Sequence, residues 1–171
     1  MSTFRAIATV TAALQAILAD AVGSVGGARV TVGHPTSEGD DTAAPRIDIV
    51  LYQALPHAAW RATDRREQVA VNLHYLLMFQ GDEARLEPEL LLGCALRRLH
   101  DEPILTAKRI LQVEESAPAA SDLVAQDEPI RFLPLPLSID DLSKIRALFA
   151  PTTYALALAY QAGIVLIDGG P

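Results

Sequence analysis

The chain of 171 residues and 18.3 kDa is half apolar and one-fifth charged, which gives room for one ordinary domain with a core and argues against disorder. Lys and Arg total 14 and Asp and Glu total 21, a formal net charge of −7 and the wrong balance for a protein that grips phosphate backbones. The single cysteine, Cys94, cannot form an internal disulfide and so signals no oxidising compartment.

The first element is a helix. Phe4, Ile7, Val10, Leu14, Ile17 and Leu18 recur at three- and four-residue steps, with Ser2 or Thr3 available as a cap and Gly23, Gly26 and Gly27 to end it. Met1–Asp20 has one basic residue and no solid apolar run before a cleavage site, so it does not read as a secretory signal. A short strand over Arg29–Gly33 precedes a polar loop, His34–Ala44.

Arg46–Leu55 alternates Ile47, Ile49 and Leu51 against Asp48, Val50 and Tyr52 and reads as a strand. Pro56–Arg66 is too long for a tight hairpin turn. Glu67–Gln80 is the next strand, with Val69, Val71, Leu73, Tyr75, Leu77 and Phe79 on one face. Its second half is apolar on both faces, which predicts a central position covered from both sides.

Pro88 suits the first turn of a helix whose stripe is Leu91, Leu92, Ala95, Leu96 and Leu99, and Glu102-Pro103 stops it. Ile104–Val113 fits either strand or helix, and Glu114–Glu128 reads as loop with at most one helical turn near Leu123. Pro129–Leu137 is extended, but its three prolines confine it to a sheet edge. Ser138–Asp141 resembles a capping box, followed by a helical stripe of Leu142, Ile145, Leu148 and Phe149 that Pro151 terminates.

In the closing strand, Tyr154, Leu156, Leu158 and Tyr160 alternate with Ala155, Ala157 and Ala159, so a helix can lie close on the small face. Tyr154–Ile167 is the longest apolar stretch, but Gln161 interrupts it and it falls short of the roughly 20 residues that span a bilayer. Fully extended it would reach about 46 Å, against a domain diameter of about 40 Å. It must therefore bend, best at Gln161-Ala162-Gly163, or project beyond its own domain. The sum is a single soluble α+β domain over residues 1–171, with a mixed or mainly antiparallel sheet flanked by about three helices.

A search for chemistry finds little. His34, His57, His74 and His100 include no i, i+4 pair, and Cys94 has no cysteine partner for zinc. His74, inside a strand, reads as a hydrogen-bonded structural residue. His100-Asp101-Glu102 looks catalytic in one dimension, but at a helix end it reads as a dipole-favoured histidine beside solvated carboxylates. Cys94 reads as a small core residue. Gly23–Gly27 follows a helix and lacks the Lys-Ser/Thr of a phosphate-binding loop, and no nucleophile elbow is present. The remaining cluster sets Arg61, Arg65 and Arg66 around the only tryptophan, Trp60. Either Trp60 covers its own sheet edge, or the segment is a protein-contact loop, Trp and Arg being common interface anchors.

Several blocks, in order, resemble a known family: Ile49-Val-Leu-Tyr52, Asn72-Leu-His-Tyr-Leu-Leu77, Leu91-Leu-Gly-Cys94, Leu99-His-Asp-Glu-Pro-Ile-Leu105, Pro136-Leu-Ser, Asp141-Leu-Ser-Lys-Ile145, Tyr154–Gln161 and Val165-Leu-Ile167. Together with the amino-terminal helix they resemble the cap, or tail-terminator, family of phage-tail-like contractile injection systems. The family tends to carry tryptophan shortly after the Asp-Leu-Ser-Lys block, where this chain has Arg146, and an Asn after the arginine of its long hairpin, where Ala62 follows Arg61. Arg146 thereby joins Trp60, Arg61, Arg65 and Arg66 as a candidate interface residue.

The resemblance implies a structural, non-enzymatic protein with no cofactor, metal, nucleic acid or membrane partner. It implies a homo-oligomeric ring, in all expectation a hexamer, that closes the inner tube, limits its length and anchors the sheath. Such a protein is made in the cytoplasm of the producing bacterium and built into the particle, released or retained. The readings from other classes are a small enzyme, with a site assembled from His74, His100 and nearby carboxylates, and a ligand-binding module with one apolar cleft.

Overall fold

The computed structural model describes residues 4–34, 44–57, 68–114, 122–147 and 155–168. In chain order the elements are α1 (Ala6–Ala21), β1 (Arg29–Val32), β2 (Arg46–Pro56), β3 (Gln68–Gln80), α2 (Glu87–Asp101), α3 (Ala107–Glu114), β4 (Arg131–Pro134), α4 (Ile139–Ala147) and β5 (Leu156–Asp168). The strands form one sheet in the order β1-β2-β3-β5-β4. β1 runs parallel to β2 and every other neighbouring pair is antiparallel, so the sheet is mixed.

β3 lies at the centre, as its two apolar faces predict. Val71, Leu73, Tyr75, Leu77 and Phe79 join the main core with Val10, Leu14, Ile17 and Leu18 of α1, Leu91, Ala95 and Leu99 of α2, and Ile110 and Val113 of α3. Between them, Leu76 and Met78 face a second, smaller cluster with Val50, Ala155 and Ala159. Leu142 and Ile145 of α4 pack there, so a helix does lie on the small-residue face of β5. Two sheet faces, each helix-covered, make the fold a three-layer α+β domain.

α1 carries a feature that its composition hides. With the turn that follows, Ala6–Ser24 is apolar and long enough to cross a membrane, yet its buried face packs on the sheet as a core helix does. Thr11 bridges to the phenol of Tyr75 at 2.8 Å, and burial pushes that phenol well above its ordinary pKa. Gly27, at φ 76°, makes the left-handed turn into β1.

β5 carries a bulge beside the place where a bend was expected, Gln161-Ala162-Gly163. Val71 pairs with Val165 and Leu73 with Ala162, so Gly163 and Ile164 together oppose the single residue Asn72. Gly163 sits at this bulge, where an added Cβ would crowd the Asn72 amide. A second bulge, at Tyr52, lets Tyr52 meet the His74 ring with centroids 6.0 Å apart.

β4 is an edge strand, as its prolines require, and its outer rim is taken by the segment before α3. Phe132 N–H donates to the Pro103 carbonyl at 2.8 Å, and Leu105 N–H to the Ile130 carbonyl at 2.9 Å. Ile104–Val113 thus does both things its sequence allowed: Ile104 bridges to Arg131, and Ala107–Glu114 forms a fourth helix. Leu123, buried, sits in the one short helical turn expected of its segment. Ser138 caps α4, its hydroxyl accepting from Asp141 N–H at 3.1 Å and lying 2.6 Å from the Asp141 carboxylate.

Phe4, Val69, Leu96 and Cys94 depart from their expected places. Phe4 lies outside α1 and is exposed, and the proposed caps Ser2 and Thr3 fall outside the described residues. Val69 and Leu96 are exposed rather than buried, because β3 starts beyond the helix layer and α2 meets the sheet along the narrow row Leu91, Ala95, Leu99. Cys94 is half-buried beside the Ser24 hydroxyl, 3.6 Å away, and is not part of the core.

Candidate assembly surfaces

The end of the β2–β3 hairpin is exposed mainly on its β2 side. Residues 53–56 of β2 are all exposed, as is Val69 on β3, while Ala70, Val71 and Leu73 of β3 beside them stay buried. The pairing nevertheless persists: His57 N–H donates to the Ala70 carbonyl at 2.8 Å, and the Gln68 amide donates to Asp168 of β5 at 2.7 Å. Trp60, Arg61, Arg65 and Arg66, which leave from this end, lie outside the described residues. Arg146 is half-buried in the last turn of α4.

The opposite end of β3 runs through Gly81 into α2. Glu87 is buried there and accepts the Asp82 N–H at 2.9 Å, while Asp82 accepts the Ala84 N–H at 2.9 Å. This tight turn puts Leu86 in the left-handed region, at φ 54°, where a branched side chain is uncommon. Leu86 is nevertheless 59% exposed and Leu90, one turn on, 55%. Gly93 continues the same row, and a Cβ placed on it would meet nothing within 4 Å. Asp82, Glu83 and Glu89 stand exposed around these leucines, with Arg85 held 3.5 Å from Glu87. Nothing in the hydrophobic periodicity marked this face, which emerges only once the narrow buried row of α2 is known.

The residues that looked catalytic in sequence are occupied otherwise. His100 is exposed, and Asp101 lies 3.9 Å from Arg97. Glu102 accepts from Arg109 at 2.8 Å and from Arg98 at 2.6 Å, and Arg109 reaches Asp20 at 2.7 Å. This network ties α1, α2 and α3 together. The Arg109 hydrogen bond holds the Glu102 carboxyl below its ordinary range, which keeps it ionised and unsuited to donate a proton near neutrality. His74 is buried against Tyr52 in the sheet. Among the described residues, no group of three or more His, Cys, Asp or Glu side chains is placed to hold a metal ion.

A second buried charge escaped the sequence pattern. Asp48 alternates like an outward residue but is buried, accepting from Thr31, from Arg46 at 3.2 Å and from Gln80 at 2.8 Å. Its oxygens are fully used within the sheet, so it reads as a structural clamp between β1, β2 and β3.

Comparison with known proteins converges on one group. A family model described as the Pvc16 N-terminal domain matches residues 9–171. Among solved structures, the fold is similar to the sheath/tube terminator of PVC, an extracellular contractile injection system, determined by cryo-electron microscopy in the extended state. The match has a TM-score of 0.63 at 14% identity and covers 96% of this chain and 57% of that one. The chain thus spans less than two-thirds of that neighbour's length. No curated protein matches.

Proposed function

The chain belongs to the Pvc16 N-terminal domain family, and from that premise we propose that it is a structural terminator of a contractile injection system. In this reading it closes the end of the inner tube, limits tube length and anchors the sheath as a hexameric ring. The observation that carries the reading is the likeness of fold to a sheath/tube terminator over nearly the whole chain. The physical features agree with it. Both layers of helices serve to cover the sheet, Asp48, Glu87 and Glu102 are committed to structural contacts, and large apolar side chains such as Leu55, Val69, Leu86 and Leu90 are left exposed.

Ring closure needs heterologous contacts, in which two different patches on one protomer meet their counterparts on its neighbours. The exposed end of β2 at one end of the hairpin and an exposed helix row at the other supply two such patches. Trp60, Arg61, Arg65, Arg66 and Arg146 are the residues proposed to face partners: a second copy, the tube or the sheath. The role is non-enzymatic and uses no cofactor. The protein is made in the cytoplasm of the producing bacterium and then incorporated into the particle. Light scattering on the purified chain tests the ring: a stable mass near six times 18.3 kDa supports it, and a monomer at every concentration contradicts it.

A further inference from the structure

We infer that the outer row of α2 is the seat on which the β2–β3 connection of a second copy docks, which would make it the contact that closes the ring. The inference rests on the ring reading above and names its surfaces. The seat is the row Leu86, Leu90 and Gly93, rimmed by the carboxylates of Asp82, Glu83 and Glu89. Two leucines more than half exposed, one of them in the left-handed region, gain nothing from their own fold. Gly93 adds a notch in the middle of a helix, where glycine costs about 1 kcal/mol relative to alanine.

Chain length and charge identify the occupant. The connection between His57 and Gln68 carries the sole tryptophan and Arg61, Arg65 and Arg66, against Asp64 and Glu67. It is thus an apolar anchor among guanidinium groups, the chemical complement of leucines among carboxylates. It cannot reach the seat of its own chain. β3 spans about 40 Å from Gln68 to Gln80, and α2 begins directly against Gly81, Glu87 being in contact with it. No residue of the connection is more than six from an anchor, a reach of about 20 Å at full extension. The two surfaces therefore meet only between copies, head to tail, which is the geometry that closes rings.

The test is a charge swap read by native mass. Glu83→Lys with Glu89→Lys in one chain, and Arg65→Glu with Arg66→Glu in another, each set like charges against each other in the contact. Each alone weakens association by about tenfold or more, while the circular dichroism spectrum remains that of the wild type, which shows the chain still folded. Mixed in equal amounts, the two variants restore assembly, because in alternating order every seat meets a connection of opposite sign. An oligomeric wild type whose mass neither swap alters, or singly swapped chains that lose assembly and do not regain it on mixing, overturns this contact and leaves the ring standing. A wild type that stays monomeric overturns the ring and this contact together.

Discussion

Replacing Glu102 by Gln would remove the charge that two arginines share while keeping the side chain's shape. In the native fold Glu102 takes Arg109 Nε on one oxygen at 2.8 Å and Arg98 on the other at 2.6 Å, with its side chain 19% exposed. An exposed ion pair contributes at most about 1 kcal/mol, and breaking a fully buried one costs about 3–5 kcal/mol. Glu102 lies between these limits and Gln keeps one acceptor, so a loss of about 2 kcal/mol is expected. For a domain of this size that lowers the melting temperature by roughly 4–8 °C.

The pH dependence has a definite sign. Arg109 depresses the Glu102 pKa in the folded state. A depressed carboxylate contributes stability that is present above its unfolded value of about 4.3 and is lost as pH falls through the folded value. The gap between wild type and Glu102→Gln should therefore be full at pH 7 and shrink steadily in acid below about pH 4. Urea denaturation at fixed protein concentration, at pH 7 and through the acid range, measures both quantities. Equal stabilities at pH 7, or a gap unchanged down to the lowest pH, would refute the assignment of this network as the tie between α1, α2 and α3.

Two glycines should respond in opposite directions. Gly81→Ala sets a Cβ 2.8 Å from Glu87 Cβ, at the rooted end of that side chain, so thermal unfolding should show a loss of about 1–3 kcal/mol. Gly93→Ala meets open space in a helix interior, so the monomer should gain up to about 1 kcal/mol in urea. If α2 seats a neighbouring copy, the same substitution lowers the native mass at a given concentration, which separates fold stability from assembly.

Much of the sheet could be read from periodicity because burial imposes it. β3 is apolar on alternate positions early and on both faces late, and the sheet places it between β2 and β5 with helices on both sides. The alanines of β5 marked the face where α4 lies, and the three prolines of the segment holding β4 marked an edge. Other features depend on what comes near in three dimensions. Asp48 looked outward by alternation, but Arg46, Gln80 and Thr31 across neighbouring strands allow it to be buried. Leu96 fitted the stripe of α2, yet one helix on a sheet buries only a narrow row. Ile104–Val113 carried two structures in ten residues, too short for either period to dominate. The exposed Leu86 follows from a left-handed turn that Glu87 and Gly81 set up, a conformation with no signature in a leucine. Of the proposed interface residues, Arg146 is found half-buried on α4, and the basic connection remains a reading from composition.

The terminator role itself is tested most directly by deleting this chain in the producing cell and measuring the tubes of purified particles by electron microscopy. The account predicts that tubes lose their uniform length and that sheaths detach or fail to form along them, with both defects repaired when the chain is supplied again. Tubes of unchanged length distribution carrying intact sheaths would contradict it.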